Sequence, residues 1–355
     1  MSYIDPRQKV LWHLDKLLEL KTSGKTSVPV NVEIDLSNRC SRGCTWCHFA
    51  HTHTRGPLAG GPKVEERIAG GDLMDTGLAL SILDQLAEMG VQSVTWTGGG
   101  EPTLHPDFDD IVGYAWSMGI AQGLYTHGGH ISPDRGDLLK RIMCWVYVSL
   151  DECTGPDYQR SKGVDGFASV TAGIANLRVA EGTAVVGVGF LLHKDNYRKS
   201  REMVELVRGL GADYVQFRPT IHHDPQTPGL LTEDTAWLKQ AIDWLQPHSA
   251  DPFVTMDLAR FDDYRNWTGH GYTTCHWSGL QTVITPNGMV WRCVNKREQP
   301  GALLGDLSVE TFADIWQRAG GSCTVDSQCR VMCRGHVPNQ TVAAVMTKPV
   351  HSRFI

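Results

Sequence analysis

The sequence predicts an α/β protein, with a parallel sheet built from six strand–helix units and a small cysteine-rich domain after it. Three observations carry this. β-type apolar segments alternate with helical ones from Val30 to Ile221, and the pattern turns to short strands and tight turns after Tyr272. The 10 cysteines also cluster: three between Cys40 and Cys47, five from Cys275 to Cys333, and only Cys144 and Cys153 between.

The first strand candidate is VNVEIDLS from Val30, followed by SVTWTG from Ser93, QGLYTH from Gln122 and CWVYVSLD from Cys144. AVVGVGFLL from Ala184 and YVQFRPTI from Tyr214 complete the six. Their β-branched and aromatic residues, bounded by turn formers, favour strand over buried helix. Between them, Leu78, Ile82, Leu83, Leu86 and Met89 share one helical face, and FASVTAGIANL and REMVELVRGLG follow the same period. Six such units in succession imply a parallel sheet with right-handed crossovers, open or curled into a partial barrel. Active sites of such sheets gather at the C-terminal strand ends.

The remaining segments divide the chain further. Residues 1–27 hold an amphipathic stretch, VLWHLDKLLEL, expected to cap the main domain; 28–225 form the core. Residues 226–270 read as a connector with one helix, TEDTAWLKQAIDWLQ, and 271–355 as the cysteine-rich domain, with a hairpin around Asn287-Gly288.

Composition narrows the function. With 33 Lys+Arg against 39 Asp+Glu, a formal charge of −6, 20% charged residues and 41% hydrophobic ones, the chain suits a folded domain rather than a disordered one. The mild negative charge argues against bulk electrostatic binding of duplex DNA. The longest clean apolar run, the nine residues Ala184–Leu192, is too short to span a bilayer, and the N-terminus lacks a secretory h-region. A cytoplasmic location is therefore expected, where clustered cysteines hold metal or do redox work.

Cys40, Cys44 and Cys47 form C-x3-C-x2-C directly after the first strand. Three thiolates on one tight loop can grip one face of a cubane cluster and leave one iron open for chemistry. The alternative is a zinc knuckle with His48, His51 or His53 as fourth ligand. Four further motifs fall at or just after strand ends: TGGGEP (97–102), YTHG (125–128), VSLD (148–151) and YQRSKG (158–163). Glycines let backbone approach a ligand closely, a glutamate accepts from a cationic amine, and an arginine grips a carboxylate with two parallel bonds.

This set of motifs, with Trp46 before the third cysteine, resembles the radical S-adenosylmethionine (SAM) superfamily over roughly residues 28–222. The resemblance implies a partial (β/α)6 parallel barrel with a 4Fe–4S cluster on Cys40, Cys44 and Cys47. SAM would be held by Trp46, Gly99, Gly100, Glu101, Thr126, Ser149, Asp151 and Arg160. Relatives often carry Thr-Asn-Gly where this chain has Thr126-His127-Gly128. In the family, reductive cleavage of SAM gives a 5′-deoxyadenosyl radical that abstracts a substrate hydrogen.

Gly288-x4-Cys293 and the C-x5-C-x3-C run of Cys323, Cys329 and Cys333 resemble the auxiliary-cluster domain called SPASM, or its shorter form, twitch. Gly320 stands where a further cysteine is expected, and no cysteine follows Cys333. Five cysteines complete one additional four-thiolate 4Fe–4S cluster. Cys275, Cys293, Cys329 and Cys333 are the expected ligands with Cys323 spare; the alternative exchanges Cys323 for Cys329. A zinc site or a metal-free remnant are the competing readings.

Cys144 reads as a buried small hydrophobe. Some relatives return a hydrogen atom from such a thiol in an epimerisation; Cys153, after VSLDE, is the candidate donor, with Cys323 as the alternative. The loop from His48 to Thr76, with His51, His53, Arg55, Lys63 and Arg67, reads either as a solvated loop or as a cationic substrate lid.

The expected function is oxidation, epimerisation or isomerisation of a small molecule such as a sugar or aminocyclitol, an oxidoreductase or isomerase reaction. The alternatives are isomerisation of a nucleoside or a modified thymine in phage DNA, and modification of a ribosomal peptide. Cys40 lies close to the N-terminus for a leader-binding domain, which counts against the peptide. The expected partners are a small-molecule or nucleoside substrate and a reductant such as flavodoxin or ferredoxin, with no membrane.

Overall fold

The computed structural model describes residues 6–47, 72–220, 234–299 and 301–347. All six expected strands form: β1 (Asn31–Asp35), β2 (Ser93–Thr97), β3 (Ala121–Thr126), β4 (Trp145–Ser149), β5 (Val185–Leu192) and β6 (Tyr214–Pro219). They pair parallel in chain order, Asn31 opposite Ser93 and so on to Leu192 opposite Pro219. Their central residues are almost wholly buried, which is why they read as apolar runs rather than alternating ones.

The helices between them start where the sequence supplies caps. Helix α1 (Pro6–Leu11) and α2 (Leu14–Ser23) precede the sheet, and α3 (Thr76–Glu88) is capped by the Asp75 side chain, which accepts from the Leu78 N–H at 3.0 Å. Helices α4 (Phe108–Ser117) and α5 (Pro133–Ile142) follow β2 and β3; Ser132 caps α5 with proline at its start. After β4 come α6 (Gly155–Lys162), capped by Thr154, and α7 (Phe167–Val179); α8 (Ser200–Leu210) follows β5 and stops at Gly211, φ 78°. Ile82, Leu83 and Leu86 of α3, Phe108 and Ile111 of α4 and Ile174 of α7 bury their apolar faces in one core with Ile34, Trp96 and Val188.

Two differences from the sequence reading alter the architecture. The connector holds α9 (Trp237–Leu245), a short strand β7 (Val254–Met256) parallel to β6, and α10 (Leu258–Arg265). The cysteine-rich region also joins the main sheet. β8 (Thr274–Cys275) stands apart, but β9 (Gln281–Ile284) pairs parallel with β1, and β10 (Met289–Trp291) and β11 (Leu303–Asp306) extend it antiparallel. The order is β11-β10-β9-β1-β2-β3-β4-β5-β6-β7, a ten-stranded sheet with two edges among the described residues. Then follow α11 (Phe312–Ala319), β12 (Cys323–Thr324) paired with β8, and α12 (His336–Met346).

The N-terminal helices pack on the C-terminal region: Val10, Leu17 and Leu20 form a cluster with Leu280 and Val342. No described helix is long and apolar enough to cross a membrane.

Candidate functional site

The sheet brings the motifs together at the C-terminal ends of the four neighbouring strands β1 to β4. The cysteine loop leaves β1 and is stitched down on two sides. The Gly100 N–H donates to the Ser37 carbonyl at 3.0 Å and the Glu101 N–H to the Arg39 carbonyl at 2.8 Å, so the TGGGEP turn holds the loop's start. The Gly43 N–H donates to Lys162 at 2.6 Å and that of Thr45 to Ser161 at 3.1 Å, so the end of α6 holds its middle. A Cβ on Gly100 would run into the Arg39 carbonyl, which requires glycine there.

Glu101 is 2% exposed and organises the turn. Its carboxylate accepts from the Thr103 and Thr126 hydroxyls at 2.6 Å each and from the His127 N–H at 2.8 Å. Burial opposes its charge, but His127 and these donors win and hold it below the usual carboxylate range. His127, in the place of the expected asparagine, accepts from the Gly129 N–H through Nδ1 at 3.0 Å, and its Nε2 lies 3.1 Å from the Ser41 hydroxyl. Burial pulls its pKa down to about 4, so the ring is neutral near pH 7.

Asp151, after β4, has φ 63°, a conformation few non-glycine residues adopt and one that marks strained sites. One carboxylate oxygen accepts from the Leu191 N–H of β5 at 2.8 Å, and the other pairs with Lys162. The Lys162 ammonium lies 5.0 Å from the centre of the Trp46 ring, and that ring packs 5.5 Å from His193. Ser149 ends β4 beside this pair, opposite Gly189.

Arg160 is not part of this assembly. Its side chain is 72% exposed and pairs with Asp157 on the outside of α6, whereas Lys162 is 3% exposed. The buried cation of YQRSKG is thus Lys162, which burial opposes but Asp151 and Cys44 hold well above the usual lysine range. Cys153 is half-buried against the core, with the buried Glu152 and Asp157 and the more exposed Lys199 and Glu202 around it. Cys144 is exposed, against the expectation of burial, because it precedes β4 at the end of the sheet opposite the site. The lid candidates His48, His51, His53, Arg55, Lys63 and Arg67 lie outside the described residues.

Arg42, inside the cysteine loop, was missed. It is buried, donates to the Tyr158 hydroxyl at 2.8 Å and lies against Gly166 at the entry to α7. Its position between Cys40 and Cys44 was the available signal.

The donor set suits an iron–sulfur cluster. Burial pushes the Cys40 thiol far up, and the charges of Cys44, Glu101 and Cys47 push the same way. Crowded thiolates of this kind need a cationic centre to deprotonate them.

The second group converges too. Cys275 and Cys323 face each other across the β8–β12 ladder. Their thiols hydrogen-bond, raising Cys275 and lowering Cys323. Cys275 also feels the charges of Cys293 and Cys333. Cys293 is pushed up to about 12, by burial first and then by Cys333, Cys329 and Cys323. Cys329 bonds to Lys296 and Asp326, which pair with each other at 2.6 Å. A Cβ on Gly320 would come within 2.6 Å of the Trp316 ring, so packing excludes a cysteine there.

Known proteins resemble the chain over the regions that carry both cysteine groups. The family model "Radical SAM superfamily" matches residues 34–207, and SPASM, "Iron-sulfur cluster-binding domain", matches 275–334. A PqqA peptide cyclase from Gluconobacter oxydans (strain 621H) is 27% identical over 295 residues, 82% of this chain and 77% of that protein. One from Methylocella silvestris is 25% identical over 298 residues, 81% and 74%. Among solved structures, Streptococcus suis SuiB bound to precursor peptide SuiA aligns over 89% of this chain and 70% of its own, with TM-score 0.62 and 16% identity. Native anSMEcpe with bound AdoMet aligns over 81% and 80%, with TM-score 0.56 and 16% identity. At these identities the structural likeness concerns the fold.

Proposed function

Since this chain is a radical SAM enzyme with a C-terminal SPASM domain, using a 4Fe–4S cluster, SAM and auxiliary iron–sulfur chemistry and needing a reductant, we propose that it takes a hydrogen atom from a substrate seated between the two cysteine groups. The observation that carries this is the convergence of the cysteine loop, the Glu101 turn and the Asp151–Lys162 pair on one end of the sheet. When bound, the cluster and SAM supply one-electron cleavage and the hydrogen-abstracting radical.

The chain's own groups do the rest. Cys40, Cys44 and Cys47 would hold the cluster. Glu101, ionised and fixed by Thr103, Thr126 and His127, would orient the amino group of SAM, with the Gly99–Gly100 backbone beside it. Lys162, Ser149 and Asp151 would meet its carboxylate and ribose, and Trp46 would close one side. In the second group, Cys275, Cys293, Cys323 and Cys333 would form the auxiliary ligand set. Cys323 lies across from Cys275, while Cys329 is engaged by Lys296 and Asp326.

For the substrate we favour a peptide side chain. The relatives named PqqA peptide cyclase align with most of this chain, which supports a peptide over a sugar or aminocyclitol. A second reading, isomerisation of a nucleoside or a modified thymine in DNA, rests on an arginine-lined cavity beside the site, which suits phosphate as well as carboxylate. The reaction would be an oxidation if an auxiliary cluster takes the substrate electron, or an isomerisation if it does not. Flavodoxin or ferredoxin is the reductant proposed.

The test is anaerobic reduction of cluster-loaded protein with SAM, measuring 5′-deoxyadenosine. Formation above a no-enzyme control is expected; its absence would sink the reading. Peptide, sugar and nucleoside panels carrying deuterium then assign the class by transfer of label into 5′-deoxyadenosine.

A further inference from the structure

A cavity of about 210 Å³ lies between the C-terminal end of β2, at Thr97, and the segment Arg330–Arg334. Its wall carries three guanidinium groups, those of Arg260, Arg330 and Arg334, with the Asn295 amide, and no acidic side chain. Arg334 meets Glu33 of β1, and Arg260 donates to the Met332 carbonyl at 2.9 Å. The Nε atoms of all three are nonetheless buried without a hydrogen-bond partner among the described residues. Buried donors of this kind carry a desolvation cost that a ligand can relieve. Among the described residues Glu33 pairs with Arg334 alone and no carboxylate forms an ion pair with Arg260 or Arg330, although Asp263 lies near Arg260 and the Cys333 and Cys293 thiols near Arg330.

Of the five C-terminal cysteines, only Cys333 lines it. The cavity therefore lies beside the auxiliary thiols rather than among them, with its far wall on the strand that leads into the glycine turn. Guanidinium forks match the planar carboxylate and the phosphate group, and the volume suits one such group with its stem rather than a whole drug-sized molecule.

We propose that this cavity is an oxyanion subsite, in which Arg260, Arg330 and Arg334 seat a carboxylate or phosphate of the substrate between the radical site and Cys333. The proposal rests on the radical reading above and adds the charge of the substrate. The ligand would bridge β2 and the SPASM segment, fixing which carbon faces the radical source.

Calorimetric titration of the cluster-loaded full chain with inorganic phosphate and with N-acetylglutamate tests it. Saturable binding of at least one probe is expected. Arg330→Gln should weaken it by about tenfold or more, the scale of a lost charge-assisted hydrogen bond, and Arg330→Lys by less. Arg201→Gln, exposed on α8, should leave it unchanged. Phosphate alone binding would assign a nucleotide or DNA source; N-acetylglutamate alone would assign an acidic residue or organic acid. No saturable binding to the wild-type protein, or Arg330→Gln binding as tightly as wild type, would overturn the proposal. 5′-Deoxyadenosine measured in the same samples reports separately: its loss with anion binding intact counts against the radical reading and not against this subsite.

Discussion

Asp35 on β1 and Arg297 in the SPASM region form an ion pair with side chains 0% and 2% exposed. It stands directly before the cysteine loop and joins the first core strand to the C-terminal region. Burial pushes Asp35 up to about 6, while Arg297 and the Gly99 amide pull it down. A carboxyl raised on folding stabilises most when protonated. Its contribution is complete below the ordinary value of 3.8 and is lost as pH rises through about 6.

Arg297→Leu removes the cation and leaves Asp35 charged and buried near neutrality. The expected loss is about 3–5 kcal/mol at about pH 7.5 and clearly less at about pH 5, where Asp35 takes up a proton. Urea unfolding at both values checks this. Equal losses would show that the ion pair is not the cause.

Lys162→Met should lower SAM cleavage by about a hundredfold, the scale of one lost buried charge contact. Arg160→Ala removes an exposed guanidinium from Asp157, which Lys199 and Thr154 still hold, and should change the rate by less than about twofold. Single-turnover formation of 5′-deoxyadenosine compares them. The reverse ranking would restore Arg160 as the cofactor contact.

Iron analysis separates the two cysteine groups. The anaerobic wild-type chain should hold about eight irons. Replacing Cys40, Cys44 and Cys47 by Ala should leave about four irons and no cleavage. Cys323→Ala should also leave about four irons but keep the radical-site cluster, while Cys329→Ala should stay near eight. If Cys329→Ala alone loses the auxiliary iron, Cys323 is the surplus thiol after all.

His127 supports Glu101 through its backbone N–H and Ser41 through its ring, so Asn should serve in its place. His127→Asn is expected to keep SAM cleavage within about tenfold, whereas His127→Leu, which leaves the Gly129 N–H without its ring acceptor and the Ser41 hydroxyl with His130 as its ring partner, should fall further. Parallel initial rates decide it; equal loss in both variants would assign the ring a role asparagine cannot fill.

The six core strands and the motifs at their ends were legible because buried parallel strands are apolar throughout and the motif residues are adjacent in sequence. What escaped was set by three-dimensional packing. Residues two apart on a helix face nearly opposite ways, so YQRSKG alone did not reveal that Lys162 turns inward and Arg160 outward. Three-residue β7 is too short to carry a period. Spacing leaves the choice between Cys323 and Cys329 open, and only the β8–β12 ladder sets Cys323 against Cys275. β9 was recognised as half of a hairpin, but nothing local shows that its other edge pairs with β1.

That last pairing affects how the chain comes together. β1 leaves the ribosome about 250 residues before its neighbour β9. Until then, one row of β1 amides and carbonyls stays open next to the loop that gathers iron, and an open strand edge is a template for pairing with another chain. Assembly of the first metal site and completion of the sheet are thus coupled in time. Expression that outpaces iron supply should favour aggregates that begin at β1.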